Sequence, residues 1–149
     1  MSKCILMDSP VGPLYLREKD GKIAGITKNP HPLTETSDVL ELCRQQLIEY
    51  FHHQRVEFDV PLFYQGTEFQ CAVWKAMQSI KYGECISYQQ LAEKIQNPGA
   101  VRAVGTACGK NPIAIVIPCH RIIKADGNSG NYAWGSEMKQ FLIDLEREK

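Results

Sequence analysis

The chain has 149 residues, 44% hydrophobic and 23% charged, with seventeen Lys and Arg against seventeen Asp and Glu. That length holds one ordinary domain or two very small ones, and that composition excludes a disordered or fibrous chain. No apolar run approaches the ~20 residues of a membrane span, and the opening Met1–Asp8 stretch meets an acid too early for a secretory signal, so the expectation is a cytoplasmic protein (nuclear in a eukaryote) with no membrane association.

Six cysteines stand at positions 4, 43, 71, 85, 108 and 119. Several sit inside apolar helical patterns with no sign of export, so reduced thiols serving as small core residues are expected, with room for one reactive member. Residues 1–65 carry 7 basic against 9 acidic side chains, and residues 66–149 carry 10 against 8. Between Cys85 and Lys124, Lys94, Arg102, Lys110, Arg121 and Lys124 face Glu93 alone. A local basic footprint of this kind suits a phosphate backbone, although a solvated face would carry similar charge.

The first third predicts a small sheet followed by a helix. Ser9–Gly12 is turn chemistry between the apolar runs Cys4–Met7 and Pro13–Leu16, and Lys19-Asp20-Gly21-Lys22 is a second turn before Ile23–Ile26. Ser37 is placed to cap a helix carrying Leu40, Cys43, Leu47 and Tyr50/Phe51 at three- and four-residue spacing. Val56, Phe58 and Val60 then alternate with polar residues in a strand or extended linker ending at Pro61.

A boundary near Phe63–Gly66 is expected, giving an N-terminal domain over 1–63 and a C-terminal domain over 66–149. Thr67 and Gln70 fit a capping box for a helix with Phe69, Val73, Ala76, Met77 and Ile80 on its apolar stripe, ended by Tyr82-Gly83. Ser87 caps a second helix with Leu91, Ala92 and Ile95 inward. Asn97-Pro98-Gly99 turns into a third, Ala100 to Cys108, closed by Gly109. A last helix over about Ser136–Glu148 is expected to bury Met138, Phe141, Leu142 and Leu145. The second and third helices have helix-turn-helix spacing, a weak indication by itself. The third is slim, built of Ala, Val, Gly and Thr, with Arg102 in its first turn. It lacks the long polar side chains that read base edges in the major groove. It suits close, sequence-independent contact, as in the minor groove, and suits a tightly packed core equally well.

The apolar run Ile113–Ile117 and Pro118 deliver Cys119-His120-Arg121. Pro118 stiffens the approach, and a thiol beside His and Arg sits in an electropositive setting that favours thiolate. In an extended segment Cys119 and His120 point apart, so a bridging water would couple them, with a carboxylate such as Glu146 orienting the other ring nitrogen. A buried structural cysteine followed by two surface residues fits a bare Cys-His pair as well.

From Gly66 to Glu146 the chain resembles the O6-alkylguanine-DNA alkyltransferases (methylated-DNA–protein-cysteine methyltransferases). The resemblance rests on Pro118-Cys119-His120-Arg121 preceded by Asn111-Pro112, on Gly66-Thr67, Phe69-Gln70 and Val73-Trp74, on Tyr82-Gly83, Ser87-Tyr88 and Leu91-Ala92, and on Arg102-Ala103-Val104-Gly105, in order and spacing. It implies an α+β fold: a small N-terminal α/β domain with a short antiparallel sheet, ribonuclease H-like, then a mostly helical, winged-helix-like domain containing the helix-turn-helix. It also implies DNA repair by direct reversal, in which the alkyl group of O6-alkylguanine in double-stranded DNA passes irreversibly and once to Cys119. By the same resemblance His120, through a water, and Glu146 form the relay that makes the thiolate. Asn111 braces the site, Tyr88 assists base rotation and donates at guanine N3, and Arg102 fills the gap left by the flipped nucleotide. The Ile122 carbonyl accepts from the guanine amino group, Tyr132 and Ala133 cover the base, and Lys139 has a supporting role at most.

The chain departs from the family at Asn131-Tyr132-Ala133-Trp134-Gly135, where Trp134 replaces a glycine of the loop that roofs the pocket. The expectation is that its indole narrows the pocket, so that methyl is accepted better than benzyl; an indole that points to solvent or packs elsewhere fits the sequence as well. Cys4, His31, His52 and His53 lack companion ligands at metal-binding spacing, so neither metal nor cofactor is expected, and His52-His53 is read as a helix C-terminal dipole partner. The protein is expected to act as a monomer. The rivals are a non-catalytic lesion sensor, which in this family replaces the cysteine, a helix-turn-helix regulator with a redox cysteine, and a thiol hydrolase.

Overall fold

A computed structural model describes residues 2–127 and 132–148. The chain forms two compact units, one of residues 1–64 with Pro112–Ala114 and one of residues 65–111 with 115–149. The return of residues 112–114 to the first unit is not foreseen by a single cut near residue 65. It arises because Ile26 N–H donates to the Pro112 carbonyl and Ala114 N–H donates to that of Ile26.

The first unit is an antiparallel sheet of β1 (Ser2–Met7), β2 (Leu14–Lys19) and β3 (Lys22–Thr27), in that order, covered by α1 (Asp38–Phe51). Along β2, Leu14, Leu16 and Glu18 are buried while the residues between are half-buried, the period-2 pattern of a sheet with one covered face. The β2–β3 connection is two residues, Asp20 and Gly21, at φ 51° and 81°. Positive φ at both is the tight-hairpin conformation, which Asp-Gly adopts at low steric cost. Ser37 accepts from Leu40 N–H at the head of α1, whose Leu40, Cys43, Leu47, Tyr50 and Phe51 are buried. At its other end the His52 ring nitrogen Nδ1 lies 2.8 Å from the Ile48 carbonyl. Residues 56–60 form no strand; Leu62 alone bridges to Ile23.

The second unit contains α2 (Glu68–Met77), β4 (Ile86–Ser87), α3 (Tyr88–Lys94), α4 (Val101–Gly109), β5 (Ile122–Ile123) and α5 (Ser136–Arg147), with β4 and β5 pairing in parallel. Both expected caps form complete capping boxes, Thr67 with Gln70 and Ser87 with Gln90. A Cβ at Gly66 would stand 2.6 Å from the Gln70 Oε1 that closes the first box and 3.0 Å from the Trp74 ring, so a larger residue there would have to displace the box. Helix α2 stops at Met77, five residues before Tyr82, and continues as i to i−3 turns through Ile80. Its inner face includes Trp74, whose indole N–H donates to the Ala107 carbonyl 2.9 Å away and ties α2 to α4. Helices α3 and α4 pack together across a short turn, as a helix-turn-helix requires.

The last helix departs from its apolar-stripe reading. Its buried residues are Lys139, Leu142, Ile143, Leu145 and Glu146, while Phe141 is 39% exposed. Two charged side chains occupy the inner face because each meets polar groups of the site described next. No helix among the described residues is long and apolar enough to cross a membrane.

Candidate active site

The approach to Cys119 is strained and then sharply turned. Ile115 sits at φ 72°, a conformation that costs a β-branched residue about 1–3 kcal/mol. Pro118, at φ −84° and ψ 66°, centres an inverse γ-turn closed by Cys119 N–H donating to the Ile117 carbonyl at 2.8 Å. Cys119–Arg121 then form one 3-10 turn, with all three side chains buried. The extended Cys-His-Arg segment read from the sequence is therefore replaced by a turn, and its basic residues face inward.

Asn111 fixes the sulfur. Its side-chain amide donates to the Ile117 carbonyl at 2.7 Å and to Cys119 Sγ at 3.2 Å, joining the end of α4 to the cysteine turn. Behind the cysteine, His120 is fully buried with Nε2 2.6 Å from Glu146 Oε2. Arg121 donates from Nε to Glu146 Oε1 and from a terminal nitrogen to Oε2, both at 2.9 Å, and to the Ile80 carbonyl at 2.6 Å. Gly83 N–H donates to Glu146 Oε1 at 3.2 Å. At φ 80°, Gly83 would bring a Cβ to 3.3 Å from the Glu146 carbonyl, so two constraints favour glycine.

This arrangement sets the protonation states. Burial pushes the Glu146 carboxyl up, but hydrogen bonds and charge from His120 and Arg121 outweigh it and hold the group well below the carboxylate range. Burial drives the His120 imidazole down against the pull of Glu146, so the ring is neutral. A neutral ring facing a carboxylate places its proton on Nε2 and leaves the Nδ1 lone pair basic. Nδ1 is buried without a hydrogen-bond partner among the described residues. Burial also raises the Cys119 thiol, opposed by the Asn111 hydrogen bond and the Lys139 charge. The resting group is thus a thiol, contrary to the thiolate expected from its basic neighbours. The reason is local: the Arg121 charge is spent on Glu146, and His120 is neutral.

Cys119 lines a cavity of about 600 Å³. Tyr88, Arg102, Tyr132 and Ala133 share its wall, so four of the expected base-contacting residues surround the sulfur. Ile122 is buried in β5 and does not line it. Trp134 does not line it either. Its ring packs edge-on against that of Tyr132, which does line the cavity, with centroids 5.8 Å apart. Asn131 lies outside the described residues. The Tyr132 hydroxyl is buried near the sulfur without meeting hydrogen-bond geometry. Burial and the nearby Cys108 and Cys119 push the Tyr88 phenol up to about 12.

Three residues carry more of the site than the sequence suggested. Lys139, a supporting residue by resemblance, is fully buried, with Nζ 3.5 Å from the Tyr88 hydroxyl. Burial lowers its pKa and the surrounding thiols raise it. Arg121 leaves the expected basic footprint to become the inner partner of Glu146. Gly83 reads as a helix terminator, yet it donates to the same carboxylate. All six cysteines are free thiols, and no group of three or more potential ligands is arranged for a metal among the described residues.

The family model described as 6-O-methylguanine DNA methyltransferase, DNA binding domain, matches residues 68–148, and that described as its ribonuclease-like domain matches residues 3–64. The chain is 45% identical over 148 residues to a methylated-DNA–protein-cysteine methyltransferase of Mycolicibacterium paratuberculosis, covering 95% of this chain and 90% of that protein. It is 41% identical to the protein of the same name from Methanosarcina acetivorans, covering 95% and 96%. The crystal structure of the Mycobacterium tuberculosis O6-methylguanine methyltransferase superposes with a TM-score of 0.90 at 40% identity, covering 99% of this chain and 93% of that one. With both units matched and the buried Cys119, His120 and Glu146 in one constellation, the chain belongs to the 6-O-methylguanine DNA methyltransferase family.

Proposed function

We propose that the protein repairs DNA by taking the alkyl group, methyl above all, from O6-alkylguanine in duplex DNA onto Cys119, once and irreversibly. The observation that carries this reading is the juxtaposition at the sulfur. A thiol held by Asn111 lines a cavity with room for a base, and the buried imidazole of the next residue keeps one ring nitrogen free while Glu146 holds the other. Names of relatives and the crystal structure of the Mycobacterium tuberculosis protein in complex with DNA support the same substrate.

The O6 atom faces the interior of a base pair, so the nucleotide must rotate out of the stack before the sulfur can reach its alkyl carbon. Arg102, exposed in the first turn of α4, takes the space it leaves. The outer face of α4 supports minor-groove contact: Ala103, Thr106 and Gly109 are exposed with Arg102, and a Cβ at Gly109 would meet no atom of the chain within 4 Å. Small residues there are not demanded by packing of the chain itself, which favours close approach by a partner.

In the cavity, His120 Nδ1 takes the Cys119 proton through a water. The sulfur lone pair attacks the saturated carbon in line, the S–C bond forms, and the pair of the breaking C–O bond stays on guanine. Tyr88 donates at N3 as that charge develops, with Lys139 at its hydroxyl. Tyr132 and Ala133, on the cavity wall, cover the base. The thioether has no acyl or phosphoryl bond for water to attack, so the protein is consumed. It needs no metal or cofactor and acts as a monomer in the cytoplasm.

Mixing the protein with duplex carrying a radiolabelled O6-methyl group tests this. Label moves covalently to Cys119, at most one equivalent per chain, and Cys119→Ala abolishes transfer while retaining duplex binding. Label remaining on the DNA, or repeated turnover, overturns it.

A further inference from the structure

The cavity at Cys119 is one-sided in charge. Among its lining residues are two cations, Arg102 and Lys124, and no carboxylate. Neither side chain forms an ion pair or a hydrogen bond among the described residues. Arg102 has a task under the proposed function. Lys124 has none, and its position is set by the same short segment that sets the sulfur. The 3-10 turn Cys119–Arg121 passes directly into β5, which pairs with β4, and Lys124 follows β5 immediately. Its backbone is further held by Gly127 N–H donating to the Lys124 carbonyl at 3.0 Å. Lys124 thus places an exposed, flexible cation on the wall of the same cavity that Cys119 lines.

We propose that Lys124 is a specificity-determining residue that favours O6 adducts ending in an anionic group, with O6-carboxymethylguanine as the simplest member. This rests on the alkyl-acceptor function proposed above and adds a substrate class to it. The carboxylate of such an adduct would enter a cavity that offers positive charge and no opposing anion. A neutral methyl gains nothing from the same charge. Chemically the step is unchanged: the S–CH2 bond forms, the CH2–O6 bond breaks with its electron pair kept by guanine, and the protein ends as S-carboxymethylcysteine at position 119. The carboxylate takes no part in bond making and serves only as a handle.

The rival task for an exposed lysine in this basic stretch is a DNA phosphate, and the two differ in what they predict. Single-turnover transfer rates are measured for O6-methyl- and O6-carboxymethylguanine in one duplex sequence, with wild type, Lys124→Gln and Lys124→Arg, at two salt concentrations. The expected result is a carboxymethyl-to-methyl rate ratio that falls about two- to fivefold in Lys124→Gln, the range for one partly solvated charge contact. Lys124→Arg retains the ratio, and added salt lowers it in wild type but not in Lys124→Gln. Equal slowing of both adducts with weaker binding to undamaged duplex would make Lys124 a phosphate contact and overturn the inference. So would an unchanged ratio. If wild type transfers neither adduct, the alkyl-acceptor function itself fails and takes this inference with it. If methyl transfers normally and the ratio does not respond to Lys124, only the inference fails.

Discussion

At the scale of single residues, Glu146 organises more than the nucleophile does. It receives hydrogen bonds from the adjacent His120 and Arg121 and from Gly83, two segments 37 residues apart. Its carboxyl is held below the ordinary value near 4.5, while the His120 imidazole is held below its ordinary 6.5. Both shifts act in one direction on stability. Below 6.5 the unfolded histidine gains a proton that the folded one refuses, and below 4.5 the unfolded carboxylate does the same. Stability is therefore full above 6.5 and falls in two stages on acidification. Urea unfolding across this range should show both stages, and Glu146→Gln should weaken the lower one, to which Glu41 and Glu49 also contribute; an unchanged acid limb in that variant would contradict the assignment. At the same scale, the Trp134 ring packs against that of Tyr132, a residue of the cavity wall. Trp134→Gly should loosen that ring and raise the benzyl-to-methyl transfer ratio several-fold, and an unaltered ratio would remove Trp134 from substrate selection.

Among the elements, α5 shows what a pattern can and cannot reveal. The caps at Ser37, Thr67 and Ser87 and the Asp20-Gly21 hairpin are legible because each is a contact between residues at most three apart. Cys119, His120, Glu146 and Asn111 are legible as a group through motif resemblance. The buried face of α5 is not, because periodicity counts Lys139 and Glu146 as outward-facing and Phe141 as core, the reverse of what is found. Distant partners, among them Arg121, His120, Gly83 and Tyr88, give those charges a reason to turn inward. The turn at Cys119 is hidden for a similar reason, since the side chain of Asn111 helps to hold it. A helix that buries an ammonium gives up stability for a local field. Lys139→Met should therefore leave the melting temperature equal or higher while slowing methyl transfer by about tenfold or more. Calorimetry and single-turnover kinetics on the same sample would check both halves, and a variant that is less stable yet fully active would contradict this account of α5.

For the whole molecule, zero net charge makes its DNA binding a local matter. A protein with large positive charge is drawn to any phosphate surface, whereas here attraction must come from a few cations close to the site. The sequence carries five between Cys85 and Lys124, but Arg121 is buried against Glu146. Lys94, Arg102, Lys110 and Lys124 remain exposed. Each phosphate neutralised contributes about −0.9 to the slope of log affinity against log salt on duplex DNA, so four set a limit near −3.6. If Lys124 serves the adduct instead, the slope approaches −2.7. Titration of undamaged duplex by fluorescence anisotropy over a range of salt should return a slope between these values, unchanged in Lys124→Gln if the ammonium faces the cavity and about one unit shallower if it faces a phosphate. A slope of −6 or steeper would mean that the first unit or the remaining lysines carry contacts that the exposed cations near Cys119 do not account for.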